Sequence, residues 1–567
     1  MTDTAFDGRE ASEVLNFDNE AGWTVASSDD VTCWFSGYLN DGSQGQAAAV
    51  NIAKLLKPLF RNEIQTEIVD VLRNLDGHFA IAARGPNWTL AAVDAIRSIP
   101  LSIAETAAGL TVGPSGNRLV GSNELNELDV DAVISFAMAG YTIGRTTLYR
   151  DVVQLMPGEF YYSSNDQTPE IGSYWGYRPT GRDRRDRAPL RRALVDETLQ
   201  ILENLVASSV DRPIVVPLSA GLDSRLVVSG LHHMGIRDVR CFAYGRPGNF
   251  EAEASRKIAE HLGYEWTFVP YSLEQQRQTF SSADHRAFLA FADHLCALPF
   301  LQDFHAVQVL KNEGYIPAAA VIVNGQSGDY LTGNHIPKEL WETPDNMDKE
   351  TRWTRIVSAM IEKHFSHWEM LKTPDNLSSL ELQLRRELDA TGIDFDREAI
   401  DDFGIYEALE FRNRQAKYVI GGQRVYDYHG LDWRLPLWDK SYMSFWQDVP
   451  LDAKKGRNLF REMLVEQNWG GVWQGWDFPQ RTTPVSLAAA RFALKSLNAP
   501  FGRSQWHRFE RRYLDYFMDL LCNYAVVSYR RVAQDKRGFR NGLSWHIEAY
   551  LRDKGLGLDG ERITSRA

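Results

Sequence analysis

The sequence predicts an α/β protein in three parts. These are an N-terminal antiparallel β-sandwich, a parallel-sheet α/β domain and a basic helical C-terminal extension. Three observations carry this reading. Up to about residue 180 the chain reads as short strands of alternating polarity. From Leu190 onward, helical and strand patterns alternate, an order that yields a parallel sheet with right-handed crossovers. Between the two, "GRDRRDRAP" (181–189) is a charged, Pro-terminated break. The expected regions are 1–180, 190–480 and 481–567. A chain of 567 residues is too long for one ordinary core, which agrees with such a division.

The elements follow in order. The first region offers the strands "VTCWFSGYL", "GHFAIAAR", "WTLAAVDA" and "GEFYYSS". The second opens on "LRRALVDETLQILENLVASSV", whose apolar residues recur at helical spacing. "PIVVPL" is a strand, "SRLVVSGLHHMG" a helix and "DVRCFAYG" a strand. "EAEASRKIAEHLG" is again a helix and "EWTFVPYS" a strand. Beyond Leu340 the pattern is mainly helical.

Bulk properties exclude several classes. No apolar run approaches the ~18 residues of a membrane helix. The most apolar stretch, Ala287–Leu301, is interrupted by Asp293 and His294. The first residues carry neither a basic head nor an apolar core, so no secretory signal is read there. The four Cys, at 33, 241, 296 and 522, are too far apart for a CxxC pair and form no disulfide framework. A cytoplasmic protein is expected, without a nucleic-acid partner; a homodimer is left open. Net charge is −13, unevenly spread. Residues 481–567 hold 16 Lys+Arg against 8 Asp+Glu, a net +8, so the first 480 residues carry −21. The basic tail either packs on the acidic body or recruits an anionic substrate.

The informative stretch is "VVPLSAGLDSRLVV" (215–228). It places Leu218, Ser219, Ala220, Gly221, Leu222, Asp223 and Ser224 between a strand and a helix. In a wound α/β sheet, ligands sit at the carboxyl ends of strands. Free N–H groups at a helix start bind anions, and small residues let a phosphate approach. The hydroxyls of Ser219 and Ser224 add donors. Asp223 would repel phosphate, so its place there suits Mg²⁺ bridging to phosphate oxygens. An ordinary Ser/Asp helix cap remains the alternative.

"SAGLDS" resembles the Ser-Gly-Gly-x-Asp-Ser loop of N-type ATP pyrophosphatases, with Ala220 in place of one Gly. No Gly-Lys-Ser/Thr ends it, so it is not a Walker loop. The wider chain resembles asparagine synthetase-like amide ligases, a group that includes β-lactam synthetase and lasso-peptide cyclases. "VIVNGQSGDYLTGNHI" (321–336) is similar to the family's Ser-Gly-Glu-Gly-x-Asp-Glu-x-x-Gly-Gly segment, with Gly325, Ser327, Asp329 and Gly333 inside it. "WRLPLWD" (433–439) is similar to Arg-x-Pro-Phe-Leu-Asp, and "RNLFR" (457–461) to Lys-x-x-Leu-Arg. The resemblance implies ATP and Mg²⁺, with Asp329 as a second metal carboxylate beside Asp223. It also implies that Arg457 neutralises the reacting α-phosphate, a role that passes to Lys454 or Lys455 if the alignment slips. Gln326 stands where asparagine synthetase has Glu and β-lactam synthetase a basic Tyr, and a Gln cannot take a proton. Adenine is expected at strand ends, near Leu218 and the segment Phe242–Tyr244.

The family's front domain is an N-terminal-nucleophile glutaminase that needs Cys after the initiator Met. Here the chain begins "MTDT", offering Thr2. "WFSGYLND", "LDGHFAIAARGPNWTLAAVDAIRSIPL" and "TLYRDVVQLMPGE" still resemble its later segments. Ser36 replaces the oxyanion-hole Asn, leaving Gly37, and Cys33 lies mid-strand, where a lone Cys is core. The resemblance therefore implies a degenerate N-terminal-nucleophile-like sandwich that does not hydrolyse glutamine.

The expected activity is amide-bond synthesis through an acyl-adenylate, releasing AMP and pyrophosphate. The textures "YGRPGNFEAEASRKIAEHLG" and "FRNRQAKYVIGGQRVYDYHGLDWRLPLWD" resemble homologues associated with surface-polysaccharide synthesis. This implies a sugar uronate or similar small-molecule or glycan carboxylate. Nitrogen would come from ammonia, a separate glutaminase or a substrate amine. The alternatives are a β-lactam synthetase- or lasso-cyclase-like amide former, ordinary asparagine synthesis, and a non-catalytic nucleotide-binding scaffold.

Overall fold

The computed structural model describes residues 14–17, 22–57, 64–106, 109–120, 127–165, 167–342, 347–395, 400–559 and 562–565. It is a mixed α/β structure. Its N-terminal part carries two sheets, and a five-stranded parallel sheet lies at its centre.

The larger N-terminal sheet has six antiparallel strands. Its middle is formed by Val31–Leu39, Gly77–Arg84, Trp88–Val93 and Glu159–Ser164. Alternation explains Val31–Leu39, whose Val31, Cys33 and Phe35 are fully buried. The second sheet has four strands and includes one parallel pair, Val14–Leu15 with Thr111–Val112. This region is not strands alone. The helices Gly45–Leu56, Ile64–Arg73 and Val130–Ala139 interrupt it. The Ala-rich run "GQAAAVNIAKLL" buries Ala48, Ala49, Ile52, Ala53 and Leu56 at helical spacing against the outer face of the larger sheet. Thr2 lies outside the described residues.

The parallel sheet has the order Glu265–Pro270, Val239–Gly245, Ile214–Pro217, Val321–Val323, Asp432–Arg434. Every neighbouring pair is parallel. Ile214–Val216 and Val321–Val323 are buried throughout, because helices cover both faces. From Ile214 the chain winds outward through two strands, then returns to the other side of Ile214–Pro217. The winding therefore reverses between Ile214–Pro217 and Val321–Val323. A crevice opens at the carboxyl ends of two such strands, and the loops "SAGLDS" and "NGQSGD" flank it.

The cores do not follow the expected boundaries. The main core joins Tyr38, Leu101 and Tyr161 of the first region to the parallel sheet. A second core joins Phe136 and Tyr141 to the helices 349–364 and 402–410 and to Trp545 and Leu551 of the C-terminal part. The helix after the charged break begins at Arg187, within the break itself. "WRLPLWD" lies at the contact between the first region and the parallel sheet. The Arg434 guanidinium lies 3.7 Å from the Tyr38 ring centre and donates to Ser208 O at 2.6 Å. Asp439 accepts from Asn40 and Asn204 at 2.8 and 3.0 Å. The basic tail does pack on the acidic body in part, as in Lys554–Asp293 at 2.6 Å. Its helix Val485–Asn498 buries no residue, and it also carries the antiparallel strands Leu556–Asp559 and Arg562–Ser565, so it is not helical throughout. Among the described residues no helix is long and apolar enough to cross a membrane.

Candidate functional site

The crevice holds a cleft of about 440 Å³ lined by Ser219, Gly221, Asp223, Ser224, Tyr244, Gly325, Gln326, Ser327 and Asp329. Each position follows from local sequence. The helix Leu222–His233 starts at Gly221 with no side chain capping it. Its first N–H groups therefore remain for a ligand. The loop's hydroxyls meanwhile bond inward. Ser224 Oγ accepts from Ser219 N at 3.1 Å, and Ser219 Oγ accepts from Gly221 N at 3.1 Å. Arg225 braces the loop from behind, donating to Ala220 O at 2.9 Å, with its guanidinium over the Trp473 and Phe478 rings.

Two glycines of the second loop explain themselves sterically. A Cβ on Gly325 would lie 2.7 Å from Ser224 N, so only Gly lets this loop meet the helix start. Gly333 has φ +93° and would set a Cβ 2.7 Å from Lys454 Cβ. The second loop then carries Asp329 against the first, where Asp329 N donates to Asp223 Oδ2 at 3.1 Å.

The electrostatics set the two carboxylates apart. Burial pushes Asp223 up to about 6; Arg457 opposes this and the Asp329 charge adds to it. Burial also raises Asp329, but the hydrogen bond and charge of His335, with Arg457 and Arg414, hold it at about 2. Arg457 donates to Asp223 Oδ1 and to Thr332 Oγ1, the latter at 2.7 Å. It stands at φ +61°, a left-handed conformation uncommon outside Gly, with its guanidinium 4.8 Å from the Phe460 ring centre.

The two alternates to Arg457 are placed differently. Lys454 is fully buried and pairs with Glu407 Oε2 at 2.7 Å, both side chains 0% exposed. Burial pushes Glu407 up to about 7 against the pull of Lys454. A cation sealed in this way cannot meet a phosphate in the cleft, because leaving would strand Glu407. Neither Lys455 nor Arg457 lines the cleft itself; Lys455 is half-buried, whereas Arg457 reaches the cleft through its bond to Asp223. Lys454→Met should thus act on stability, costing about 3–5 kcal/mol through the unpaired buried charge. A thermal melt checks this, and an unchanged Tm with lost turnover would return Lys454 to the site.

At the strand ends expected to meet adenine, Leu218 N donates to Phe242 O at 2.8 Å and both side chains are buried, so this N–H and this carbonyl are taken by the sheet. Tyr244 does line the cleft. Its hydroxyl donates to Asp303 and accepts from Gln302 Nε2 at 3.1 Å, and its ring stacks on Tyr271. Gln326 also faces the cleft, and its Nε2 is buried without a partner.

The sequence reading missed three groups. His335 bridges Asp329 Oδ2, at 3.1 Å, and Glu410. Glu410 accepts from His364 Nε2 at 3.1 Å and from Gln415 Nε2 at 2.9 Å. Arg414 lines the same cleft from the π-helical segment Phe411–Val419. His335 lies inside "GDYLTGNHI", so the matched segment itself carried that signal.

Among the described residues no cluster of three or more His, Cys, Asp or Glu that could hold a metal is present. The fit to Mg²⁺ rests instead on the pair Asp223 and Asp329. Asp329 raises Asp223, and a cation between them would relieve that repulsion. Mg²⁺ commonly takes one or two carboxylates and completes its shell with phosphate and water. In the N-terminal region Cys33 is fully buried, and burial pushes its thiol up to about 12, which excludes it as a nucleophile at neutral pH. Ser36 is buried and Gly37 takes φ +101°.

Residues 197–466 match the asparagine synthase family model. No curated protein matches the chain. Three solved structures overlap it weakly. One is described as the allosteric regulatory enzyme of purine biosynthesis; it is 11% identical over 47% of this chain and 70% of its own, with a TM-score of 0.20. The glutamine phosphoribosylpyrophosphate amidotransferase of B. subtilis, complexed with ADP and GMP, is 13% identical over 48% and 76%, with a TM-score of 0.20. The NH3-dependent NAD synthetase of Campylobacter jejuni, in complex with nitrate, is 12% identical over 37% and 96%, with a TM-score of 0.19.

Proposed function

Starting from the asparagine synthase domain at residues 197–466, we propose that this protein is a carbon–nitrogen ligase. It uses ATP to join a nitrogen to a carboxylate and releases AMP and pyrophosphate. The domain supports ATP-dependent amide synthesis in general. The finer reading rests on one observation: Asp223, Asp329 and Arg457 converge on an uncapped helix start at the reversal point of the sheet.

In this reading the triphosphate lies on the loop 219–224, its outer phosphates on the N–H groups and hydroxyls there. Asp223 and Asp329 would hold Mg²⁺, which neutralises the departing pyrophosphate. Pro217, Ser219, Tyr244 and Gln302 border the space left for adenine. A carboxylate oxygen attacks the α-phosphorus and the bond to the β-phosphate oxygen breaks. The nitrogen then attacks the acyl carbon, the bond to the phosphate oxygen breaks, AMP leaves and the nitrogen loses a proton. Arg457 stabilises negative charge on the α-phosphate as it develops. The unpartnered Gln326 Nε2 donates to the acid. Gln326 cannot take a proton, so the proton that the nitrogen loses, from ammonia or a substrate amine, goes to water or another group. The acid is read as a sugar uronate or a comparable glycan carboxylate.

The test is a screen of carboxylates for ATP-dependent pyrophosphate release with ammonia present. Equimolar AMP, pyrophosphate and amide are expected. ADP and phosphate as products would overturn the reading. Without a usable Cys nucleophile, the protein should release no glutamate from glutamine, and product should track free ammonia. Glutamate formation lost on changing Thr2 or Cys33 would show a working glutaminase.

A further inference from the structure

Beside the cleft lies a second chamber of about 260 Å³. Distant parts of the chain build it. Tyr141 comes from the N-terminal region, Lys363 and His364 from the end of the helix Lys349–His364, and Arg540 from the C-terminal extension. His335 and Arg414 line both spaces, so these two side chains stand between the chamber and the cleft.

Its charges do not balance. Lys363, Arg414 and Arg540 face one small space. Among the described residues no carboxylate lines it, and those nearby are already shared: the completely buried Glu410 by His335 and His364, Asp329 by His335, and Glu362 by Lys372. Lys363 and Arg414 approach Glu410 only to 3.8 Å. Arg540 has no ion-pair partner among the described residues and gives one donor to the Lys363 carbonyl. Burial lowers both Lys363 and Arg540 from their ordinary values, with Glu410 countering it at Lys363 and Glu362 at Arg540, and with Arg414 repelling each. Cations held together and partly desolvated are compensated by an anion, and guanidinium and ammonium donors bind carboxylate or phosphate strongly.

We propose that this chamber seats the acid substrate, and that the acid is multiply charged. The reacting carboxylate lies at His335 and Arg414, facing the nucleotide. A second anionic group, carboxylate or phosphate, is held by Arg540 and Lys363. The C-terminal extension thereby supplies a substrate contact, and the N-terminal region a wall. The assignment of the ligand as substrate rests on the ATP-dependent ligase reading; the anion site itself does not.

The experiment is calorimetry on the full chain with the cleft saturated by Mg²⁺ and the α,β-methylene analogue of ATP. The probes are D-glucuronate, D-glucarate and D-glucuronate 1-phosphate, which carry one carboxylate, two carboxylates, and a carboxylate plus a phosphate. One equivalent of a dianion should bind at least about tenfold more tightly than glucuronate, the worth of one charge-assisted hydrogen bond. Whichever dianion wins identifies the second group. Arg540→Met and Lys363→Met should each reduce it to the glucuronate level, with Arg540→Lys restoring part of the gain. Binding of the ATP analogue reports that each variant is folded. Equal binding of all three probes, or full dianion affinity in Arg540→Met, overturns the proposal. Dianion binding that depends on Arg540 without any nucleotide binding would instead sink the ATP reading and leave the chamber standing.

Discussion

Asp223→Asn and Asp329→Asn should each slow pyrophosphate release by about 10²- to 10³-fold or more. Both substitutions keep size and one acceptor oxygen but remove the negative charge that holds a hard cation. Several kcal/mol of charge stabilisation rest on such a cation, and each ~1.4 kcal/mol is tenfold in rate. Asp223 takes a backbone bond from Asp329 N, which an Asn oxygen still accepts. Asp329 holds His335, which keeps its second partner Glu410. Asp223→Asn also unpairs the buried Arg457, and Asp329→Asn takes one of the two carboxylates from His335, so stability falls by up to about 3 kcal/mol, and a thermal melt of each variant must show it folded at the assay temperature. Part of the lost rate should return at raised Mg²⁺, and chelation should abolish turnover in the unaltered protein. Near-normal turnover of either variant at ordinary Mg²⁺ would rule out the two-carboxylate site.

The site was legible where chemistry and backbone geometry coincide within a few residues. "SAGLDS" declared a strand-to-helix turn, and Asp223 was recognisable because a carboxylate beside a phosphate cradle has few other uses. Asp329 was legible only through resemblance, since nothing local ties it to Asp223 across the sheet. His335, Glu410 and Arg414 escaped for a physical reason. His335 lies in a turn and Arg414 in a π-helical segment, where side chains leave the 3.6-residue period that sequence reading uses, and Glu410 ends the buried helix 402–410, where a carboxylate gives no local sign of its distant partners. Arg540 reaches the same region from the far end of the chain, and no local pattern encodes such a meeting. The fold shows the same division. The strands Val31–Leu39 and Gly77–Arg84 coincide with the quoted runs, whereas the Ala-rich helix 45–56 was hidden by the strand texture around it. The pairing of Leu218 with Phe242 was likewise invisible, because a strand's free edge is known only once its neighbours are.

The second large effect concerns Arg457. Arg457→Met should lower kcat by about 10²- to 10³-fold, the usual cost of one preorganised donor to a developing negative charge. The KM for ATP should rise far less, because the loop 219–224 still binds the outer phosphates. The left-handed backbone at this position is a useful control. Met suffers the same φ strain as Arg, so the comparison isolates the side chain. Arg457→Lys separates charge from shape. Arg457 donates to Thr332 and Asp223 through different nitrogens of one planar group, and a single ammonium cannot hold both directions. The Lys variant should therefore fall between the two, about tenfold below Arg. Arg457 is paired with Asp223 through one carboxylate oxygen, and a cation held by Asp223 would weaken that pair and leave the guanidinium freer to meet phosphate. Were the guanidinium there only to neutralise Asp223, removing it would leave turnover within about threefold and raise the Asp223 carboxyl further. A kcat that survives Arg457→Met at that level would reduce Arg457 to a structural partner of Asp223.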